Sequence, residues 1–78
     1  MSDINIVDVM LHIDNNLDAT KREAVEKQLR TVNGVISVHM PDDKPHLVEV
    51  SYNPDNVNSM SIEQSIRELA GKVELIGL

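Results

Sequence analysis

Two kinds of hydrophobic spacing alternate along this 78-residue chain. Four short segments rich in β-branched residues, INIVDVMLHI, VISVHM, HLVEVSY and VELIGL, are typical of strands. Two intervening segments repeat apolar residues at the spacing of one buried helix face. The pattern predicts six elements in the order βαββαβ, with strands over 4–13, 35–40, 46–52 and 73–78 and helices over 19–32 and 61–70.

Capping residues mark the predicted helix ends. Asp18 is placed to cap the first helix, and Thr20 with Glu23 offers an alternative capping box one turn further in. The run Ser61-Ile62-Glu63-Gln64 has the capping-box pattern and predicts where the second helix begins. Both helices are expected to end at a glycine in the left-handed conformation, Gly34 and Gly71.

The two halves of the chain resemble each other. VEKQLRTVNG (25–34) aligns with IEQSIRELAG (62–71), and VMLHI (9–13) aligns with HLVEV (46–50). Two βαβ halves related by a pseudo-two-fold axis form a ferredoxin-like α+β sandwich. We therefore expect one domain over 1–78, with a four-stranded antiparallel sheet in the order 4-1-3-2 and both helices on one face.

Charge and aromatic content exclude several partners. Seven basic and 13 acidic residues give a net charge of −6, and Tyr52 is the single aromatic residue. Nucleic-acid binding needs a basic surface and usually stacking aromatics, and anionic membrane surfaces also need basic residues. The acidic start MSDINIVDVM is unlike a signal peptide. We therefore expect neither nucleic acid nor membrane as a partner, and a cytoplasmic location.

The sequence offers few residue combinations that are typical of catalytic sites. There is no cysteine, so disulfides, thiolate nucleophiles and thiolate metal sites are absent. The loop DNNLDATK (14–21) has no glycine with which to cradle a phosphate. No serine or threonine stands in a plausible relay with histidine and aspartate. We expect no enzymatic activity and no cofactor.

Three stretches carry a resemblance to a known family: VEKQLRTVNGVISV (25–38), VSYNPDNV (50–57) and SIRELAG (65–71). In these the chain resembles the heavy-metal-associated (HMA) domains, the module of copper chaperones and metal-transporting ATPases. The resemblance implies the same ferredoxin-like fold. It also implies a loop between the first strand and the first helix where the family carries a Cys-x-x-Cys pair for Cu(I).

This chain departs from the family at that motif. The two cysteine positions are occupied by Asp18 and Lys21. Cu(I) requires soft thiolate ligands, and a protonated lysine offers no lone pair. The resemblance therefore implies a lost metal site. In the family the residue after the second-helix glycine, here Lys72, approaches the metal loop, and we hypothesise that Asp18 pairs with Lys21 or Lys72.

Histidines on the sheet are the next candidate ligands. Strand alternation places His12 and His39 on the face that the helices leave open, and the 4-1-3-2 order puts Glu49 between their strands. A row His12–Glu49–His39 would offer two imidazoles and a carboxylate to Zn²⁺ or Cu²⁺. The alternative is a solvated polar sheet face with a cross-strand His–Glu pair. His46 has the opposite alternation and is expected to cap the hairpin end.

The open sheet face is the remaining candidate for function. Apolar residues are expected there beside the histidines: Ile6, Met10, Leu47 and Ile76. A contiguous apolar patch would suit a protein partner or a homodimer. We therefore predict a small non-catalytic interaction module. Two alternatives remain, weak Zn²⁺ or Cu²⁺ binding at the histidines and carboxylates, and a ligand-binding regulatory domain similar to the ACT type.

Overall fold

A computed structural model describes residues 5–77 of the chain. Its elements follow the predicted order, except that the second helix is formed by two short helices. Their bounds are β1 (Val7–Ile13), α1 (Ala19–Thr31), β2 (Val35–His39), β3 (Leu47–Tyr52), α2 (Ser59–Ser65), α3 (Arg67–Ala70) and β4 (Val73–Gly77). Residues 1–4 and 78, which the predicted first and last strands include, lie outside the described residues.

The four strands form one antiparallel sheet in the order β2-β3-β1-β4. This confirms the predicted order and the ferredoxin-like fold, with the helices on one side of the sheet. Strands β1 and β3 are central, while β2 and β4 each pair with a single neighbour. The face away from the helices is called the open face below.

The core lies between the sheet and the helices and is almost entirely aliphatic. Alternate residues of β1 are buried there, as the strand pattern predicts. Val25 and Leu29 of α1 and Ile62 of α2 are completely buried against them. Tyr52 supplies the one aromatic ring, and the described residues bury no polar or charged side chain. All charged chemistry of the described residues is therefore on the surface.

Asp18 caps α1 as predicted. Its side chain accepts a hydrogen bond of 2.8 Å from the backbone N–H of Lys21. The first N–H groups of a helix lack partners within the helix, and a carboxylate in this position satisfies one of them. The capping box at Thr20 and Glu23 is therefore not the start of this helix.

The predicted start of the second helix at Ser61 is wrong. Asn58 is the capping residue, and its side chain accepts a 2.8 Å hydrogen bond from the backbone N–H of Ser61. Ser61 is thus already inside the first turn. The helix is interrupted at Ile66, where φ is −112° and ψ is 2°. The Ser65 hydroxyl donates to the carbonyl of Ile62 at 2.7 Å, an interaction that tends to bend helices.

Both predicted helix-stop glycines have positive φ, 100° at Gly34 and 77° at Gly71. Each also lies in a crowded place. A Cβ at Gly34 would lie 2.7 Å from Cγ1 of Val57, and one at Gly71 would collide with the side-chain amide of Asn15. Asn15 in turn donates to the carbonyl of Ala70 at 3.1 Å, which holds the β1–α1 loop against the end of α3.

Candidate functional site

The loop between β1 and α1 does not present a site for a soft metal ion. Asp18 is engaged as the helix cap, and Lys21 lies exposed in the first turn of α1. The two family cysteine positions therefore present a carboxylate that accepts a backbone hydrogen bond and an ammonium group. Neither supplies the thiolate that Cu(I) requires, so these residues do not fit that ion.

The ion pair hypothesised for Asp18 is not formed. Lys72 instead lies 3.9 Å from a carboxylate oxygen of Asp14 and 3.7 Å from one of Glu74, measured from its Nζ. The carboxylate of Asp18 turns towards the helix end because the unpaired N–H groups there need an acceptor. The family resemblance implied that Lys72 approaches this loop, but its carboxylate partners are Asp14 and Glu74 rather than Asp18.

The predicted row of His12, Glu49 and His39 is not formed either. Glu49 pairs across the sheet with His39 on one side and with Met10 on the other. His12 pairs with Leu47, two residues further along the strands. Strand alternation predicts the face on which a side chain lies, but the register decides which side chains are neighbours. Metal binding by His39 and Glu49 stays a prediction without support from this register.

The register instead gives His12 two acidic neighbours. His12 pairs directly with Glu74 of β4. The ladder continues beyond the strand end, where the backbone N–H of Asp14 donates to the carbonyl of Lys72 at 3.1 Å. Four side chains therefore form two adjacent cross-strand pairs, His12 with Glu74 and Asp14 with Lys72. We call these four residues the β1-end cluster.

Side-chain atoms in the β1-end cluster lie close together. Nδ1 of His12 donates to a carboxylate oxygen of Asp14 at 3.1 Å. One potential ligand atom from each of His12, Asp14 and Glu74 can be chosen so that all three lie within 4.8 Å of one another. The side chains are 38%, 36% and 54% exposed, respectively, so solvent and ions can reach them.

His46 contacts the same end of β1. Its Nδ1 lies 2.8 Å from the carbonyl oxygen of Ile13 and donates to it, since a carbonyl can only accept. Its ring also stacks against that of His12, with centroids 5.7 Å apart and an interplanar angle of 27°. The predicted capping role is thus directed at β1, and it restrains the ring of His12.

Sequence reasoning missed Asp14, Glu74 and the stacking of His46. A usable signal was present for Glu74: the predicted strand order makes β1 and β4 neighbours, and Glu74 has the alternation of an open-face residue. The exact partner depends on the register of β4 against β1, which the sequence does not mark.

The open face is polar and acidic rather than apolar. Asp8, Glu49 and Glu74 lie on it, and the four strands contain no lysine or arginine. The hydroxyl of Ser51 donates to the carboxylate of Asp8 at 2.5 Å. Of the apolar residues predicted there, Met10 and Leu47 are half-buried, Ile76 is 54% exposed on the edge strand β4, and Ile6 precedes β1.

Positive charge is concentrated on the other side of the molecule. Helix α1 alone carries four basic residues, Lys21, Arg22, Lys27 and Arg30. Two of them form ion pairs along the helix, Lys27 with Glu23 and Arg30 with Glu26. The fold therefore separates a helix layer of mixed charge from a sheet face on which the strands contribute negative charge alone.

A shallow hollow lies between α1 and the β2–β3 hairpin. It is lined by Arg22, Glu26, Met40 and Asp42 among others, and its volume is about 200 Å³. Pockets for small organic ligands usually have volumes of about 300–1,000 Å³. This hollow is smaller than such pockets, and the ACT-like alternative stays a prediction.

Comparison with solved structures shows the fold. The N-terminal domain of a potential copper-translocating P-type ATPase from Bacillus subtilis, in the Cu(I)-loaded state, has a TM-score of 0.82 at 22% identity, covering 94% of this chain and 90% of that domain. Oxidized MerP from Ralstonia metallidurans has a TM-score of 0.82 at 12% identity, covering 92% and 99%. The yeast copper transporter domain Ccc2a has a TM-score of 0.77 at 20% identity, covering 88% and 93%.

These similarities support the predicted resemblance at the level of the fold. No protein-family model matches the chain, and no curated protein matches it in sequence. In residues 5–77, no helix is long and apolar enough to cross a membrane. The chain therefore has an HMA-like fold without the cysteines that the family uses for Cu(I).

Proposed function

We propose that this chain is a non-catalytic binding module with an HMA-like fold, which does not hold Cu(I) and acts by contact with another protein in the cytoplasm. The proposal rests on the side chains at the two family cysteine positions of the β1–α1 loop. Asp18 is engaged in capping α1 and Lys21 is an exposed ammonium group. The loop thus has a structural role and lacks the donors for a soft ion.

A metal-handling context comes from the structural neighbours alone. Two of them are described as Cu(I)-loaded copper domains. We propose that this chain acts alongside such proteins through contact rather than by carrying their ion. No further step of metal transfer is assigned to it.

The charge distribution supports the open face as the contact surface. Three strand residues contribute carboxylates to it. Among residues 5–77, those of Asp8 and Glu49 have no lysine or arginine within salt-bridge distance, while that of Glu74 lies 3.7 Å from Lys72. A partner with a basic surface would complement this face, and complementary charge accelerates association and selects partners. Two copies of this chain would instead bring like charges together. We therefore propose a different, basic protein as the partner rather than a second copy.

Copper binding tests the first part of the proposal by a gain of function. We expect the native chain to remove no Cu(I) from a chromogenic competitor, while Asp18→Cys combined with Lys21→Cys removes one equivalent. The double variant restores thiolates at the two family positions on the same backbone. Copper binding by the native chain with an affinity like that of the double variant would refute the proposal.

Site-specific photocrosslinking in cells tests the second part. A photoreactive residue replaces Ser51 on the open face or, as the control, Gln28 on the exposed surface of α1. We expect a discrete adduct from position 51 alone, lost when Glu49→Lys reverses the charge of that face. Equal adducts from both positions, or an adduct that survives the charge reversal, would contradict docking through the open face.

Sedimentation velocity separates a foreign partner from a second copy. We expect a monomer at all concentrations because the acidic open faces repel each other. A concentration-dependent dimer that Glu49→Lys disrupts would show that the open face binds a second copy instead.

A further inference from the structure

We propose that the β1-end cluster is a binding site for a divalent first-row transition-metal ion of the Zn²⁺ type, held by His12, Asp14 and Glu74. This site uses neither of the two family cysteine positions, Asp18 and Lys21, and it shares only His12 with the predicted row of His12, Glu49 and His39. It does not rest on the proposed protein contact.

The backbone brings the three ligands together. His12 and Glu74 are a directly opposed pair between β1 and β4, and opposed residues have side chains on the same face. Asp14 follows His12 by two residues, and its backbone N–H bonds to the carbonyl of Lys72, so it stays in register with β4. The pairing of β1 with β4 therefore positions His12 and Glu74, and a backbone hydrogen bond holds Asp14 just beyond the end of β1.

The ligand atoms are near the spacing that a bound ion needs. Ligands about 2.1 Å from a tetrahedral Zn²⁺ lie roughly 3.4 Å apart. The present atoms lie within 4.8 Å of one another, and Nδ1 of His12 is already 3.1 Å from Asp14. The exposed side chains can close the remaining gap by rotation, without movement of the strands. Three protein ligands leave one position for water, as in other open zinc sites.

The donor set favours a transition metal over a hard cation. One imidazole nitrogen with two carboxylate oxygens suits Zn²⁺, Cu²⁺ or Ni²⁺, whereas Ca²⁺ and Mg²⁺ prefer oxygen ligands alone. The stacked ring of His46, anchored on the carbonyl of Ile13, restrains the His12 ring beside its acidic neighbours. Restraint of a ligand ring by its surroundings strengthens metal binding.

Lys72 competes with the metal ion for the carboxylates of the cluster. Its ammonium group lies 3.9 Å from Asp14 and 3.7 Å from Glu74, and it neutralises the same two carboxylates that the metal would use. The side chain of Lys72 is 72% exposed and can leave for solvent. Metal binding therefore exchanges one cation for another at these carboxylates, and the loss of Lys72 should strengthen it.

Zn²⁺ titration of the full chain tests the site, by calorimetry and by NMR with Zn²⁺ as the probe. We expect one ion per chain, with saturable shifts centred on residues 12–14 and 72–74. His12→Ala and Glu74→Gln should each abolish saturable binding, and His39→Ala should leave it unchanged. Far-UV circular dichroism checks that each variant is folded, which we expect because the three side chains are partly exposed.

A matched pair of lysine variants tests the competition. Lys72→Met should lower the dissociation constant for Zn²⁺ roughly three- to tenfold, because exposed ion pairs of this kind are weak but must be broken on binding. Lys27→Met removes the same charge from the outer surface of α1, where the side chain is 77% exposed, and should leave the constant unchanged.

Each other result would overturn the proposal. Absence of saturable Zn²⁺ binding would exclude the site. Binding lost in His39→Ala but kept in His12→Ala would assign it to His39 and its cross-strand neighbour Glu49 instead. Equal affinities for Zn²⁺ and Ca²⁺ would show that the cluster is a non-selective acidic surface. Equal changes in the Zn²⁺ dissociation constant in Lys72→Met and Lys27→Met would show that only the net charge of the chain matters.

Discussion

Removal of the Asp18 carboxylate distinguishes a helix cap from an ion pair. The structure shows one hydrogen bond of 2.8 Å from the Lys21 backbone to this side chain. Replacement of a capping residue by alanine usually costs about 1 kcal/mol, within a range of about 0.5–2 kcal/mol. For Asp18→Ala we therefore expect a loss of about 1 kcal/mol in the free energy of unfolding, or roughly 4–8 °C in Tm for a domain of this size.

Conservative variants sharpen the test. Asparagine caps helices about as well as aspartate, so Asp18→Asn should lose less than Asp18→Ala. We expect about 0.3 kcal/mol, the lower end of the contribution of a charge near a helix N-terminus, since this carboxylate is exposed. Lys21→Met and Lys72→Met should each change stability by less than about 0.5 kcal/mol. Asn58→Ala at the cap of α2 is a matched control and should resemble Asp18→Ala, since its hydrogen bond has the same length.

Chemical denaturation followed by far-UV circular dichroism is the appropriate assay. The chain has one tyrosine and no tryptophan, so intrinsic fluorescence reports poorly on the helices. The midpoint shift at constant slope gives the change in stability. Measurements should be repeated in about 1 M NaCl, where the Debye length is about 3 Å and exposed ion pairs are screened.

The ion-pair interpretation has a different signature. If Asp18→Asn were as damaging as Asp18→Ala, and the loss disappeared in high salt, the carboxylate would be acting through its charge. A matching loss in Lys21→Met or Lys72→Met would identify the partner. Either result would refute the capping argument.

Three further changes test other parts of the structure. Leu29→Ala removes a fully buried side chain from the core and should cost about 2–5 kcal/mol, measured by denaturant unfolding. Gly34→Ala places a Cβ at positive φ and 2.7 Å from Val57, and should lower stability by about 2–4 kcal/mol in thermal unfolding. Glu26→Gln breaks the half-exposed 2.9 Å pair with Arg30 and should cost about 0.3–0.5 kcal/mol, less in high salt.

Contrary results would each identify a specific error. A loss below about 1 kcal/mol in the core variant would mean that the core repacks around the gap. An unchanged glycine variant would mean that the turn after α1 tolerates an ordinary residue. A salt-independent loss in the glutamate variant would point to helix packing rather than charge.

The identity of the elements followed from local chemistry. Alternation in VDVMLHI predicts which residues of β1 face the core, and Val9, Leu11 and Ile13 are indeed buried. The carboxylate of Asp18 predicts the start of α1, since few other groups can satisfy the first N–H groups of a helix. The start of α2 was misplaced because Asn58 and Ser61 both suit a cap, and local sequence does not choose between them.

The candidate sites depended on contacts between distant segments. His12 and Glu74 are far apart in sequence, and they meet because β4 pairs with β1 in one particular register. The row with His39 failed for the same reason, since the register of β1 with β3 places Met10 opposite Glu49. Placing Glu49 opposite His12 needs a shift of two residues in this register, and a two-residue shift keeps every side chain on its face, so the hydrophobic pattern could not distinguish the two arrangements.

The sequence by itself therefore determined the fold and the absence of a thiolate site, because both follow from residue types and their spacing. Tertiary structure alone decided which charges are neighbours: Lys72 beside Asp14 and Glu74, His12 beside Glu74, and an acidic open face opposite a helix layer of mixed charge. The physical reason is the separation along the chain over which each interaction acts. Capping and periodicity act within a few residues, whereas metal and partner chemistry require atoms to be placed together by the register of strands that are remote along the chain.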